Sequence, residues 1–316
     1  MIQRTAYGQC IAPETIEMTP EDFGSIGDTR LYWLGQAGFV LNARGTVLLV
    51  DPLLVTQPVT QPVTQPVAQP VAQPGNSEGA PVLSETGAEM LCRWPIDAAA
   101  IPRADAVLYT HADNDHLGPE TAKILMKLDP IFISTIYCKE QLEDLGASPV
   151  RCLAGVPHAG APRRGKSGNT FDMGGIRIEL LPADHPWQLS DPWKHGRIFG
   201  PEDCCGFKIT TLDGIFVFPG DTRLMKHHLE LRNISVLTLD VSPDPYHLGV
   251  QGATVLANHL EDALIVPCHY GSFKSENAAH SGDPEEVMGG IKGGNLRGRI
   301  LAPGQALILQ GGTYAV

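Results

Sequence analysis

A chain of 316 residues, with 43% hydrophobic and 18% charged residues, has ordinary globular composition and is long enough to bury a sizeable core. Its formal net charge of -12 excludes the global basic field that would gather nucleic-acid phosphates or an anionic membrane surface. We therefore expect a small-molecule substrate as the partner, with no nucleic acid and no membrane, whereas the sequence leaves homo-oligomer formation open.

The N-terminal segment and the cysteines together indicate a cytoplasmic protein. Arg4 is followed by no apolar run of the kind found in signal peptides, and no window approaches about 18 uninterrupted apolar residues. The seven cysteines are an odd number and none of them forms a Cys-x-x-Cys pair. We expect reduced, mostly buried thiols.

The pattern of apolar runs and turn residues predicts an α/β fold in a single domain over residues 1–316. The predicted strands, in chain order, are Leu31–Leu34, Gly38–Leu41, Thr46–Val50, Ala106–Tyr109, Ile131–Ser134, Ile176–Leu181, Gly206–Thr211, Ile215–Phe218, Val236–Leu239, Leu264–Pro267 and Ala306–Gln310. The predicted helices are Pro119–Leu128, Lys139–Leu145, Ala253–Asp262 and Pro284–Ile291. Asp213-Gly214 tolerates positive φ and predicts a hairpin turn. Two batches of strands, each followed by helix, favour two packed sheets flanked by helices.

Residues 55–74 depart from globular composition. Val55 to Pro74 contain five tandem four-residue units, three reading Val-Thr-Gln-Pro and two reading Val-Ala-Gln-Pro. Because a proline at every fourth position forbids both a helix and a central strand, we expect an extended surface loop inside the domain. An expanded, tolerant loop is the favoured interpretation, and a lid over a site or an arm that contacts another subunit are the alternatives.

The most informative segment follows the apolar run Ala106–Leu108 and precedes a predicted helix. It places four potential metal ligands within six residues: His111, Asp113, Asp115 and His116. Ionised carboxylates at this density disfavour one another's charge unless a cation organises them. The segment therefore indicates a metal site, with a solvated polar loop as the alternative for this segment alone.

Three other predicted strands are followed directly by a potential ligand: His185, Asp221 and His269. Since a scaffold holds the loops at one edge of its sheets close together, residues that are distant in sequence can meet there. The seven candidate ligands are enough for two metal ions. A lone histidine after a strand is usually structural, but several strand endings with the same chemistry favour a metal centre.

These motifs resemble those of the metallo-β-lactamase superfamily. Thr110–Gly118 is similar to its His-x-His-x-Asp-His signature, with Asp113 at the position of the second histidine. Gly220-Asp221-Thr222 is similar to its bridging-aspartate motif. Within the superfamily the chain most resembles the L-ascorbate-6-phosphate lactonase-like group, through the Trp-Leu-Gly-x-Ala-Gly opening and two later segments, Tyr246–Gly249 and Val266–Phe273.

The resemblance implies a four-layer αββα sandwich with the site at one edge of the paired sheets. It also implies two ligand sets that share one bridging residue: His111, Asp113 and His185 for one metal, Asp115, His116 and His269 for the other, and Asp221 between them. Asp51 resembles the family's aspartate that supports a ligand histidine through a hydrogen bond.

Asp113 is the main departure from the superfamily signature. A carboxylate in place of an imidazole makes three of the seven ligands hard oxygen donors, which moves the preference from zinc toward manganese or iron. We expect one or two divalent transition metal ions, either manganese, zinc or iron. Asp113 also resembles the acidic residue of diiron members that reduce oxygen or nitric oxide. Those enzymes carry a flavin domain, which the segment after Phe273 is too short to hold.

The ligand set and the resemblance predict a hydrolase. A metal lowers the pKa of a bound water toward neutrality, and we expect the resulting hydroxide to attack a lactone or an ester. Asp115 is the predicted group that orients this nucleophile and moves its proton, and His247 is the predicted proton donor to the leaving oxygen. A phosphodiesterase, a diiron-type oxidoreductase and a scaffold protein on an inactive fold are the alternatives.

The remaining histidines are assigned structural roles: His158, His195, His227, His228, His259 and His280. The basic loop Arg163–Lys166 could hold an anionic group of the substrate, although short charge runs are usually solvated. Trp187 and Trp193 could wall the pocket or be packing residues.

Overall fold

The computed structural model describes residues 2–57, 81–157, 169–186, 200–275, 281–311 and 313–315. Its strands are β1 (Thr29–Gly35), β2 (Gly38–Ala43), β3 (Thr46–Val50), β4 (Thr56–Gln57), β5 (Leu83–Ser84), β6 (Ala106–Leu108), β7 (Ile131–Ser134), β8 (Cys152–Ala154), β9 (Thr170–Met173), β10 (Ile176–Pro182), β11 (Cys205–Thr210), β12 (Ile215–Phe218), β13 (Val236–Asp240), β14 (Leu264–Cys268), β15 (Ala306–Gln310) and β16 (Thr313–Ala315). Its α-helices are α1 (Pro119–Leu125), α2 (Ile136–Asp144), α3 (Gly249–His259), α4 (Pro284–Gly290) and α5 (Gly294–Arg297).

Two large sheets form the centre of the fold. The eight-stranded sheet has the order β16-β15-β1-β2-β3-β6-β7-β8, and the six-stranded sheet has the order β14-β13-β12-β11-β10-β9. Strands β3, β6, β7 and β8 run parallel, as do β12, β13 and β14, and the other neighbours in these two sheets are antiparallel. It follows that β1, β3 and β6 share one direction in the first sheet, and β10, β12, β13 and β14 share one direction in the second. Within each sheet, the loops after these strands leave from the same edge.

Alternating side chains of the larger sheet fill two cores. In β3, Leu48 and Val50 belong to the core that includes Phe207 and Phe216 of the smaller sheet. The intervening residues of β3 pack instead with buried side chains of α1 and α2. On the other side of the molecule, α3 packs against β13 and α4 packs against α3. The alternation of side chains between the two cores, with helices packed on both outer sides, confirms the predicted four-layer αββα sandwich.

All the predicted strands are present, with ends that differ from the predictions by no more than two residues. The sequence did not predict five short strands: β4, β5, β8, β9 and β16. Strands β8 and β9 lie at sheet edges, where alternating burial is weak. Helix α2 begins three residues before the predicted Lys139, because the hydroxyl of Thr135 accepts a hydrogen bond from Cys138 N and caps it. The predicted boundaries of α3 were shifted too far along the chain, since two glycines in its first turns concealed its start.

The predicted hairpin between β11 and β12 is confirmed, but its predicted backbone conformation is wrong. Neither Asp213 nor Gly214 has a positive φ, and the turn closes through a 2.9 Å hydrogen bond from Thr211 N to Gly214 O. A Cβ atom on Gly214 would lie 2.6 Å from Ser235 Oγ. Glycine is therefore needed here for close packing rather than for a left-handed conformation.

Only the start of the repeat lies within the described residues. Thr56–Gln57, from the first unit, pairs with Leu83–Ser84 in a separate two-stranded ladder, and residues 58–74 lie outside the described ranges. The expected surface loop therefore stays a prediction. In the described part of the chain, no helix has the length and apolar character needed to cross a membrane. The seven cysteines are free, as expected, and all except Cys92 are buried.

Asp213 joins the two sheets at the end of the sandwich away from the strand-end loops. Its carboxylate accepts hydrogen bonds from Thr29 Oγ1 at 2.8 Å and from both Arg44 Nε and Arg44 Nη2, at 2.8 and 2.7 Å. Thr29 and Arg44 belong to the larger sheet and its hairpin, whereas Asp213 lies in a hairpin of the smaller one. The hydrogen bonds from Arg44 hold the pKa of Asp213 at about 2, below its usual range.

We predict that Asp213→Asn destabilises the protein at pH 7 by about 1–2 kcal/mol, a value reduced by solvent screening around Arg44. Because the folded-state pKa is lowered, this contribution is complete above about pH 4 and is lost as the pH falls toward about 2. Urea unfolding of both proteins from pH 7 to pH 2.5 measures the difference. The control is Asp172→Asn, which removes an exposed ion pair with Arg177. A difference that does not shrink in acid would contradict the assignment to this carboxylate.

Candidate functional site

The strand-end loops bring the predicted site residues together. Each of the following lies in a loop that leaves the site edge of its sheet: His111, Asp113, Asp115 and His116 after β6, His185 after β10, Asp221 after β12, His247 after β13, and His269 after β14.

The glycine before Asp221 is needed for the position of the loop after β12. Gly220 has a φ of 68°, and a Cβ atom there would lie 2.8 Å from Cys205 O and 3.0 Å from the side chain of Thr110. Glycine lets this turn approach the neighbouring loop.

One group of side chains surrounds Asp113. Its Oδ2 atom lies 3.2 Å from His111 Nε2 and 3.3 Å from His185 Nε2. Asp221 Oδ2 lies 3.9 Å from His111 Nε2, and the ligand atoms of His111, His185 and Asp221 all lie within 4.8 Å of one another. These four residues are the set that the resemblance implies for one metal and its bridging aspartate.

A second group lies on the other side of Asp221. Its Oδ2 atom is 3.1 Å from His116 Nε2 and 3.4 Å from His269 Nε2. Asp115 Oδ2 is 3.3 Å from His269 Nε2 and 4.0 Å from His116 Nε2. The second predicted ligand set is therefore also assembled in space, and one carboxylate oxygen faces both groups.

Hydrogen bonds on the far side of each ring orient the histidines. Asp51 Oδ2 lies 3.0 Å from His116 Nδ1 and accepts a 2.7 Å hydrogen bond from Thr110 Oγ1. Because that hydroxyl donates to Asp51, its oxygen accepts from His111 Nδ1 at 3.0 Å. Both rings thus carry a proton on Nδ1 and direct Nε2 into the site. The predicted supporting contact of Asp51 is present.

The other two rings are held in the same way. His185 Nδ1 donates to the carbonyl oxygen of Tyr246 at 3.1 Å. His269 Nδ1 lies 2.7 Å from Ser242 Oγ, and that hydroxyl donates to His269 O at 3.4 Å, so its oxygen accepts from the ring. All four predicted ligand histidines therefore present Nε2 to the centre.

His247, the predicted proton donor, lies in the same site. Its Nδ1 donates to Asp240 Oδ2 at 2.6 Å, and its Nε2 lies 3.3 Å from Asp244 Oδ2 and 3.8 Å from Asp221 Oδ2. The side chain is 8% exposed. Burial would lower its pKa, but Asp240 and Asp221 raise the pKa of His247 to about 9.

The negative charge of the site carboxylates favours the binding of a cation. Burial alone would raise the pKa of Asp113, yet His111 beside it holds that pKa well below its usual range. Burial would lower the pKa values of His116 and His269, yet Asp221 raises both. The carboxylates are ionised, and the pKa shifts of the rings show that positive charge is favoured where their Nε2 atoms converge.

The donor atoms fit divalent metal ions. Neighbouring ligands on a tetrahedral ion with bonds near 2.0 Å are about 3.3 Å apart, and the closest donor pairs of the two groups are 3.1 to 3.4 Å apart. Within the described residues, the buried Nε2 of His111 has no hydrogen-bond partner. An unsatisfied buried nitrogen is costly unless it meets a ligand, and a metal ion would satisfy it.

Sequence reasoning missed several polar residues of the site. Gln36 lies in the turn after β1, and its Nε2 atom is 3.0 Å from both Asp115 Oδ2 and His269 Nε2. Asp240 ends β13 and orients His247. Gln36 follows and Asp240 ends a strand that shares the direction of those leading into the site, so the rule that located the candidate metal ligands could have found both residues. Ser242 has no comparable signal.

The other singled-out residues do not join the site. His227 and His228 are buried elsewhere in a short 3-10 helix, and His259 is exposed and contacts Arg232. The remaining histidines and aromatic and basic candidates lie outside the described ranges: His158, Arg163–Lys166, Trp187, Trp193, His195 and His280.

The sequence and the fold both resemble known proteins. Residues 47–270 match the family described as "Beta-lactamase superfamily domain". A UPF0173 metal-dependent hydrolase from Archaeoglobus fulgidus is 26% identical over 88% of this chain and 97% of that protein. The isothiocyanate hydrolase from Delia radicum gut bacteria has a TM-score of 0.61 at 19% identity, over 88% of this chain and 98% of that one. A diiron beta-hydroxylase from Streptomyces venezuelae has a TM-score of 0.59 at 15% identity, over 90% of this chain and 54% of that one.

We predict that Zn²⁺ or Mn²⁺ raises the melting temperature of metal-stripped protein, because an ion that binds only the folded state adds about 2.7 kcal/mol at 100 times its Kd. Asp221→Asn removes the shared carboxylate and should abolish most of this rise. Thermal melts with chelator and with added metal measure it. His259→Ala is the control, since it removes an exposed imidazole outside the site. An equal rise in the wild type and in Asp221→Asn would show that the ions bind elsewhere.

Proposed function

Because the chain belongs to the beta-lactamase superfamily, we propose that it is a metal-dependent hydrolase that opens a lactone or cleaves an ester of a small substrate. The printed name of the Archaeoglobus fulgidus relative, metal-dependent hydrolase, supports the coarser part of this proposal. The resemblance of Tyr246–Gly249 and Val266–Phe273 to the lactonase-like group supports a lactone or an ester as the substrate.

One observation carries the proposal: a single carboxylate oxygen faces two histidine groups. Asp221 Oδ2 lies within 4 Å of four Nε2 atoms, those of His116 at 3.1 Å, His269 at 3.4 Å, His247 at 3.8 Å and His111 at 3.9 Å. An oxygen in that position suits a bridge between two cations. It would be a poor arrangement for a site without cations, because desolvation of so many polar groups is costly.

Divalent ions held by these residues would supply Lewis acidity and lower the pKa of coordinated water. The residues of the chain then have to position the substrate and move protons. Asp115 suits proton movement, because its side chain is 34% exposed whereas that of Asp221 is 5% exposed. Its Oδ2 also faces His269, so the same carboxylate can hold a metal and accept a proton at its edge.

His247 suits protonation of the leaving oxygen. Asp240 fixes the ring through Nδ1, which leaves Nε2 directed toward Asp221 and Asp244. A carboxylate that holds a histidine in one orientation and stabilises its protonated form is a common device for acid catalysis. The charge of Asp240 raises the pKa of His247 and so favours the protonated ring.

The proposal is tested with purified protein loaded with Mn²⁺, Zn²⁺ or Fe²⁺ and a panel of lactones, carboxylic esters, phosphodiesters and an isothiocyanate. We expect hydrolysis of a lactone or an ester that chelator removes and metal restores. Turnover of phosphodiesters alone would replace the lactonase proposal with a phosphodiesterase. Absence of hydrolysis, together with consumption of oxygen by the iron-loaded protein, would support the oxidoreductase alternative.

We predict that His247→Gln lowers kcat by about 100-fold or more for an alkyl ester or lactone, whose leaving oxygen needs a proton. For a p-nitrophenyl ester, whose leaving group departs without protonation, the loss should be much smaller. Steady-state kinetics with both substrates measure this difference, and His259→Gln is the matched control. Equal losses for both substrates would contradict a proton-donor role. A loss of bound metal would instead make His247 a ligand.

The Asp113 carboxylate generates a prediction about metal identity. We expect Asp113→His to shift selectivity toward Zn²⁺ and away from Mn²⁺, since an imidazole replaces a hard oxygen donor. Competition titrations of metal-stripped protein with both ions give the ratio of Kd values. Asp129→His, which changes an exposed carboxylate outside the site, is the control. An unchanged ratio would show that Asp113 does not contact the ion.

A further inference from the structure

The contacts of the Gln36 side chain are not explained by the seven candidate metal ligands. It is 6% exposed and follows β1, in the turn that faces the second group of ligands. Its side-chain Nε2 lies 3.0 Å from Asp115 Oδ2 and 3.0 Å from His269 Nε2. The amide thus touches two of the three side chains, Asp115, His116 and His269, that form this group.

The backbone of Gln36 is fixed from three sides. Its N–H donates to Ser272 Oγ at 2.7 Å, and its carbonyl oxygen accepts from Trp33 Nε1 at 3.0 Å and from His269 N at 2.9 Å. Its φ of 46° lies in the left-handed region that non-glycine residues rarely adopt. These contacts hold the backbone of Gln36 in place beside the ligand atoms that its side chain contacts.

The amide nitrogen lies beside the place where a cation would bind, at the distance of a neighbouring ligand atom. Because Ser242 holds the Nδ1 proton of His269, an ion at this position would take the lone pair of its Nε2. Asp115 Oδ2 accepts from the same amide nitrogen. When an ion takes both lone pairs, the amide hydrogens would point at positive charge, and the N–H₂ group can no longer stay between these two atoms.

Rotation of the carboxamide by half a turn resolves this conflict. The amide oxygen and nitrogen are nearly equal in size, and the rotation places the oxygen where the nitrogen was. Its distance to Asp115 Oδ2 and His269 Nε2 would be 3.0 Å, close to the 3.1 to 3.4 Å between the other donor pairs. Amide oxygens are hard donors of the kind that manganese and iron accept.

We propose that Gln36 is an additional ligand of the second metal position, where its carboxamide turns over to present Oε1 to the ion bound by Asp115, His116 and His269. This inference rests on the proposed metal-dependent function and adds a residue to it. A hydrogen-bond donor that only orients Asp115 is the other role that these contacts allow, and the two roles predict opposite effects of a negative charge at this position.

The experiment compares the Mn²⁺ and Zn²⁺ dissociation constants of metal-stripped wild type, Gln36→Ala, Gln36→Glu and Gln36→Asn, by competition with a chromophoric chelator at pH 7. If Gln36 is a ligand, Gln36→Ala should weaken one of two ions about 10-fold or more, and Gln36→Glu should bind that ion at least as tightly as wild type. Gln36→Asn keeps an amide and tolerates positive φ, but it is shorter by about 1.5 Å and should resemble Ala.

The opposite order overturns the proposal. If Gln36→Glu binds metal more weakly than Gln36→Ala, then repulsion of Asp115 dominates and Gln36 acts as a donor. Unchanged constants in all three variants would exclude both roles while leaving the proposed function intact. A wild type that binds no transition metal would instead overturn the proposed function together with this inference.

Two controls separate metal binding from folding. Circular dichroism and melting temperature without metal show whether each variant is folded, and the near-isosteric Gln36→Glu preserves shape. Gln9→Ala removes another buried amide, which bonds to Phe273 O and Ser275 N away from the ligands. It should lower stability and leave both metal constants within about twofold of wild type.

Discussion

The carboxylate of Asp51 is the contact on which the geometry of the site depends. It accepts hydrogen bonds from Thr110 N at 2.8 Å and Thr110 Oγ1 at 2.7 Å, and it holds His116 Nδ1 at 3.0 Å. Through Thr110 it also orients His111. Asp51, at the end of β3, therefore fixes two rings in the loop that follows β6. The relative position of these two parallel strands thus sets the relative position of His111 and His116. Asp51 N in turn donates to Leu108 O at 2.9 Å, which joins the same two strand ends through the backbone.

The site concentrates buried negative charge at one edge of the sandwich. Asp221 is 5% exposed, and Asp240 is 3% exposed. Burial removes the hydration of a carboxylate, and hydrogen bonds and nearby positive charge offset that loss. Without metal, protons on the histidines supply that charge. A divalent ion in the same positions would supply more of it, and its binding would then stabilise this edge of the sandwich.

The sequence predicted the site better than it predicted the contacts that shape it. His185, Asp221 and His269 could be located because each follows a strand, and the shared direction of those strands brings them together. Ser242 and the carbonyl of Tyr246 could not be predicted, since their roles depend on loop conformations that no periodicity encodes. The same limit explains the fold: the period-2 runs of buried strands predicted the sheets, whereas the short edge strands β8 and β9 left too few alternating residues to recognise.

Backbone strain is concentrated at the edge of the sandwich that holds the site. Among the described residues, six that are not glycine have positive φ, and three of them belong to the site: Asp51 at 43°, Gln36 at 46° and His269 at 62°. Each such residue costs of the order of 1 kcal/mol or more, so the surrounding contacts must hold it in place. Gln36 and His269 hold each other, because His269 N donates to Gln36 O while their side chains face one another. A shift in either turn would move both side chains together, which couples the turn after β1 in one sheet to the ligand loop after β14 in the other.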